Sequence, residues 1–227
     1  MDIERVLVVG AGYMGAGIAQ VCAQAGYQVI LQDISEERLS RAKEEIAWSL
    51  GKLREKGKIG AEVADRARRA IQTSTSVEDG ADADLAVEAV PEDLGLKKEI
   101  FSKLDEICRP DAILATNTSA LPITSIAVAT RRPERVVGTH FFGPVPLMRL
   151  CEVVRGLRTS EEVFRLAGQW ARSLGKETVM VTRDHAGFVA NRVNIPGTLE
   201  AIRMVEEGFA SPEEVDRASG GFERGVG

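Results

Sequence analysis

The sequence predicts an α/β fold: a doubly wound, Rossmann-type sheet, mostly parallel with one antiparallel hairpin, followed by an incomplete all-helical C-terminal domain. Three observations carry this. Short apolar runs alternate with amphipathic stretches over residues 1–185, the pattern of strands buried on both faces and joined by crossover helices. Two β-rich runs near residue 145 stand too close together for such a crossover. From Gly187 onward no strand-like run remains.

Taken in order, Val6 to Val9 is a continuous apolar run, Gly15 to Ala25 is helical, and Val29 to Leu31 forms a second strand ending at Asp33. This is a β-α-β unit. Ser35 can cap the next helix, whose residues Leu39, Ala42, Ile46, Trp48 and Leu53 lie near helical spacing. Leu85 to Val90 and Ile113 to Thr116 read as buried parallel strands separated by a helix over Leu96 to Ile107. Val136 to Phe142 and Leu150 to Val154 form an antiparallel hairpin, because prolines end the first strand and parallel neighbours need a dozen or more connecting residues. Glu162 to Leu174 is a further helix and Thr178 to Val181 a last strand. Val189 to Glu207 reads as a helix kinked at Pro196, and Ser211-Pro212-Glu213-Glu214 opens another with a cap, a first-turn proline and acids. The expected organisation is a domain over 1–185 and the start of a second over 186–227, stopping at Gly227 before its core closes.

Composition narrows the function. Hydrophobic residues at 44% and charged residues at 28% describe a chain with a sizeable core. With a net charge of -5 and its Lys and Arg scattered among acids, it offers no basic stripe for nucleic acid. Cys22, Cys108 and Cys151 lie far apart, so neither a disulfide framework nor a metal-ligand spacing is present; buried, reduced thiols are expected. No apolar stretch approaches the roughly 20 residues needed to cross a bilayer, and Met1 leads into a strand without a charged presequence, which suits a cytoplasmic protein.

Gly10-Ala11-Gly12-Tyr13-Met14-Gly15 fits G-x-G-x-x-G between a strand and a helix. Gly10 allows the tight turn, Gly12 lets backbone approach a pyrophosphate, and Gly15 lets helix and strand pack closely. The anion then meets the helix N-terminus. Asp33 supplies the acid that accepts hydrogen bonds from ribose hydroxyls and repels a 2′-phosphate, so NAD is favoured over NADP. His140 and His185 are the only histidines. His140 lies in the first arm of the hairpin, and a turn centred on Val145 and Pro146 puts Glu152 opposite it, within reach of the ring. Such a carboxylate fixes the tautomer of a base and stabilises its protonated form.

These segments resemble the L-3-hydroxyacyl-CoA dehydrogenase family, through Gly10 to Ala19, Glu88-Ala89-Val90-Pro91-Glu92, Asn117-Thr118-Ser119, His140-Phe141-Phe142, Glu152-Val153-Val154 and Gly187-Phe188-Val189-Ala190-Asn191-Arg192. The resemblance implies an NAD-dependent oxidation of the 3-hydroxyl of a short acyl-CoA. His140 would be the base, Glu152 its partner, and Ser119 and Asn191 the contacts to the reacting oxygen. Asp33, Glu92 and Lys97, with Met14 and Asn117, would hold NAD; Ser49 and Lys56 would meet coenzyme A. It implies a homodimer where the helical domain is complete. Residue by residue, other roles fit as well: a turn for Ser119, a helix cap for Asn191, surface charges for Glu92 and Lys97, and a solvated face for Lys56 among Lys52, Arg54 and Lys58. The chain departs from the family at Gly143, where asparagine is common, at Ala186, where proline is common, and at Ala120, where a second serine is common. A non-enzymatic NAD-binding relative and a dehydrogenase of hydroxy or sugar acids without CoA are the alternatives on the same fold.

Overall fold

The computed structural model describes residues 3–223. The expected entry from Met1 into the first strand and the Gly-rich end at Gly227 lie outside the described residues. The chain divides at Ala186/Gly187 into two compact units.

In the first unit, eight strands form one sheet in the order β3-β2-β1-β4-β5-β6-β7-β8. They are β1 (Arg5–Val9), β2 (Gln28–Gln32), β3 (Ile71–Ser74), β4 (Leu85–Glu88), β5 (Ile113–Thr116), β6 (Val136–Phe141), β7 (Leu150–Val154) and β8 (Glu177–Val181). Every pairing is parallel except β6 with β7, so β7 and β8 run against the other six. The strand order reverses between β1 and β4. This opens a crevice at the carboxyl ends of the strands, where doubly wound folds bind ligands.

Helices α1 (Tyr13–Gln24), α2 (Glu36–Glu55), α3 (Ala61–Ala70), α4 (Leu94–Ile107), α5 (Ile123–Ala127) and α6 (Glu161–Ser173) complete this unit. Burial on both sides explains why β1, β4 and β5 read as unbroken apolar runs: Leu7, Leu85, Ile113 and Leu114 are all fully covered. The second apolar run stops at Glu88 instead of Val90, because the Val90 amide turns back to donate to the Glu88 carboxylate at 2.7 Å. Ser35 caps α2 as expected, accepting from the Arg38 amide. The buried stripe of α2 is Leu39, Ala42, Ile46, Leu50 and Leu53. Trp48, expected on that stripe, is 68% exposed. Two positions beyond Ile46 on a helix of 100° per residue, it points away from the core face that Leu50 takes.

Residues 57–84, for which the patterning yields no element, contain α3 and β3. The buried side of α3 is Ala64, Ala67 and Ala70, too small to make an apolar stripe, and edge strand β3 carries one apolar residue, Ile71. Cys22, Cys108 and Cys151 are buried free thiols. Burial pushes Cys108 up to about 11 and Cys151 up to about 12, so neither is a nucleophile at neutral pH.

The second unit contains α7 (Ala190–Glu206) and α8 (Pro212–Glu223). The helix runs on through Pro196. At the start of α8, Ser211 and Glu214 exchange side chain-to-amide hydrogen bonds at 3.3 and 2.9 Å, a capping box. Among the described residues no helix is long and apolar enough to cross a membrane.

Candidate active site

The crevice begins at the glycine loop. Gly10 has φ +101, open to glycine, and its amide donates to the Gln32 carbonyl at 2.7 Å, closing the turn onto β2. A methyl group on Gly15 would lie 1.7 Å from the Gly10 oxygen, so α1 packs against the turn only with glycine there. A methyl on Gly12 would meet nothing within 4 Å. Gly12 and Met14 instead face a cleft of about 530 Å³ that also touches Asp33, Arg38 and Ala89. Asp33 is buried at the end of β2; its two oxygens accept from the Ala11 and Ser35 amides at 2.9 and 3.0 Å. Each oxygen keeps a second lone pair for a ribose hydroxyl. An open glycine cradle at a helix N-terminus, with a fixed acid at the next strand end, fits a dinucleotide.

Beside the cleft lies a charged cluster built on Lys97, Glu88 and Glu92. Lys97 is 1% exposed, not a surface charge. Its ammonium donates to Glu88 at 2.6 Å and to the Val90 carbonyl at 3.2 Å, and stands 3.4 Å from Glu92. Glu88 also accepts from Thr116 at 2.7 Å. Removing one member of such a buried pair strands the other charge at a cost of about 3–5 kcal/mol. A charged residue inside an otherwise apolar run, with a lysine on the following helix, is the signal for this pair in the sequence. Glu92 accepts from the Thr118 hydroxyl and from the Ser119 and Ala120 amides at 3.0 and 3.2 Å. Burial pushes its pKa up, but those bonds and Lys97 outweigh it and hold the group below the usual carboxylate range. Glu92 thus clamps the loop that carries Ser119, which is exposed at the carboxyl end of β5. Asn117 is buried, and its side-chain oxygen accepts from the Phe141 amide at 2.9 Å, tying that loop to β6.

His140 and Glu152 are direct partners in the antiparallel register. Side chains directly opposite share one face of a sheet. His140 Nδ1 lies 2.8 Å from Glu152 Oε2, with the residues 4% and 0% exposed. The imidazole packs on the Phe142 ring at 4.3 Å. Lys176 locks the connecting turn, its ammonium donating to the Val145 and Met148 carbonyls at 2.5 and 2.7 Å. No local pattern marks that lysine, because its partners are backbone atoms. His185 is exposed, with Nδ1 3.3 Å from the Ala186 carbonyl.

Of the coenzyme A candidates, Ser49 lines a pocket of about 300 Å³ next to the cleft, together with Tyr13 and Val145. Lys56 is exposed at the C-terminal end of α2. In the second unit Asn191 lies inside the first turn of α7, which no side chain caps, so it is not a helix cap.

Residues 5–185 match the family model described as 3-hydroxyacyl-CoA dehydrogenase, NAD binding domain, and residues 187–225 match the C-terminal domain of the same family. A probable 3-hydroxybutyryl-CoA dehydrogenase of Deinococcus radiodurans is 47% identical over 92% of this chain and 74% of its own length. Among solved structures, M. tuberculosis FadB2 superposes with a TM-score of 0.92 at 44% identity, covering 96% of this chain and 77% of that one. The (S)-3-hydroxybutyryl-CoA dehydrogenase PaaH1 of Ralstonia eutropha gives 0.90 at 40%, covering 94% and 75%. Family models that together span nearly the whole chain, over a crevice shaped for a dinucleotide, lead to one conclusion: the chain belongs to the 3-hydroxyacyl-CoA dehydrogenase family.

Proposed function

We propose that this chain oxidises the 3-hydroxyl of a short-chain L-3-hydroxyacyl-CoA to the 3-ketoacyl-CoA with NAD, and that residues 1–185 are its NAD-binding domain and 186–227 the start of its helical substrate domain. The observation that carries the reading is the buried His140–Glu152 pair at the carboxyl edge of the sheet, where the glycine loop also opens. Bound NAD supplies the hydride acceptor. With Nδ1 held by Glu152, His140 Nε2 takes the hydroxyl proton, and the carboxylate stabilises the resulting imidazolium. Ser119 and Asn191 hydrogen-bond the reacting oxygen, and the Glu92 clamp fixes the loop of Ser119. Ser49 and Lys56 meet the coenzyme A portion. The reading extends to a cytoplasmic protein, and to a homodimer where the helical domain is complete; buried free thiols suit a reducing compartment, and exposed Val193, Leu199 and Ile202 on α7 offer apolar contact area.

The test follows NADH consumption with acetoacetyl-CoA, using a free 3-keto acid as control. Turnover of the thioester alone is expected; turnover of both would favour a hydroxy-acid dehydrogenase, and NADH binding without turnover a non-enzymatic relative. His140→Gln should fold, bind NADH normally and lose at least about 10²-fold in kcat, the usual contribution of positioned proton transfer. A variant turning over near the wild-type rate would refute the assignment.

A further inference from the structure

Two exposed aromatic residues, Tyr13 and Trp48, line the 300 Å³ pocket beside the dinucleotide cleft. Tyr13 also lines the cleft itself, so this one residue borders both spaces. The ring is 63% exposed, and its hydroxyl has no hydrogen-bond partner among the described residues. It stands over Gly143: a methyl group on that glycine would lie 2.5 Å from the ring carbon Cε1 and 3.1 Å from the hydroxyl oxygen. Any side chain at 143 would therefore displace the ring. Gly143 begins the turn that follows the strand of His140, which keeps the phenol at the catalytic end of the sheet.

The chemistry of the smaller pocket narrows its occupant. Ala16, Gly17, Pro144 and Val145 give it apolar walls, Ser49 a hydroxyl and Glu45 an acid, and no Lys or Arg lines it. A phosphate would find no cation there and would face a carboxylate. A slender chain of methylenes interrupted by amides finds both apolar walls and spaced hydroxyls.

We propose that Tyr13 is a specificity-determining residue: its hydroxyl hydrogen-bonds an amide in the arm of the acyl-CoA substrate, and its ring keeps that arm apart from the dinucleotide, an arrangement that glycine at 143 permits. The proposal rests on the acyl-CoA reading above. It is tested by calorimetric binding of butyryl-CoA, which lacks the reacting oxygen, to wild type, Tyr13→Phe and Gly143→Ala, with NADH binding measured in parallel. Because binding is read without turnover, an enzyme that fails the acetoacetyl-CoA assay still reports on Tyr13. Loss of one hydrogen bond predicts that Tyr13→Phe weakens butyryl-CoA roughly three- to tenfold while NADH stays within about twofold. Gly143→Ala, by pushing the ring aside, weakens butyryl-CoA with the same selectivity. Unchanged butyryl-CoA affinity in both variants, equal weakening of both ligands, or no butyryl-CoA binding by wild type would overturn it.

Discussion

A methyl group on Gly15 would collide with backbone 1.7 Å away, whereas one on Gly12 would project into open space. The same substitution therefore separates folding from binding. Gly15→Ala should lower stability by about 1–3 kcal/mol or more, because backbone cannot yield as a flexible side chain does. Gly12→Ala should keep the wild-type melting temperature and weaken NADH about tenfold or more, since the space it fills is the ligand's. Calorimetric Kd values beside thermal melts distinguish the two, and equal melting temperatures for both variants would contradict the packing. At this scale much of the site is legible in advance. His140 and Glu152 can be paired because a hairpin fixes which residues face each other, and the glycine loop has fixed spacing. Lys176 is not legible, since its burial depends on the Val145 and Met148 carbonyls that tertiary structure brings to it; for Lys97 the sequence shows only a charge in an apolar run and a lysine on the next helix, not their contact.

The loop after β5 is held by neighbours from two other elements. Glu92 grips the Thr118 hydroxyl and two amides from the segment before α4, while Asn117 reaches β6. A carboxyl whose pKa is lowered on folding stabilises the fold above the ordinary carboxylate range, and that contribution fades as pH falls through the lowered value. Glu92→Gln should accordingly melt below wild type at pH 7, with the gap narrowing toward pH 3. A gap independent of pH would mean that the charge of Glu92 does not hold the loop. Elements with strong apolar contrast, such as β1 and α2, are readable from periodicity. Helix α3, with its alanine face, and the five-residue α5 are not. Helix α5 owes its start to Asp184, which accepts from the Ile123 and Thr124 amides at 3.0 and 2.6 Å. No local pattern announces a cap supplied from 60 residues away.

For the first unit as a whole, the alternation of strands and helices is enough to predict a doubly wound sheet, because parallel strands need crossovers and crossovers need helices. The orientation of β8 is not legible in the alternation; it follows β7 in parallel and so doubles the reversed edge. If the crevice binds the dinucleotide, NADH at a hundred times its Kd stabilises the fold by about 2.7 kcal/mol. For a unit of this size the melting temperature should then rise by roughly 5–10 °C. No rise with NADH would count against the cleft as its binding place. The hairpin of β6 and β7 has a consequence of its own. In the proposed mechanism base and orienter come from neighbouring stretches of one short ribbon, while the cradle for the nucleotide is assembled from distant parts of the chain. A slip of β7 by one residue against β6 would turn the acid to the opposite side of the sheet. The proposed proton-transfer pair would then be dismantled, and the expected outcome is a protein that still grips its nucleotide and does nothing with it.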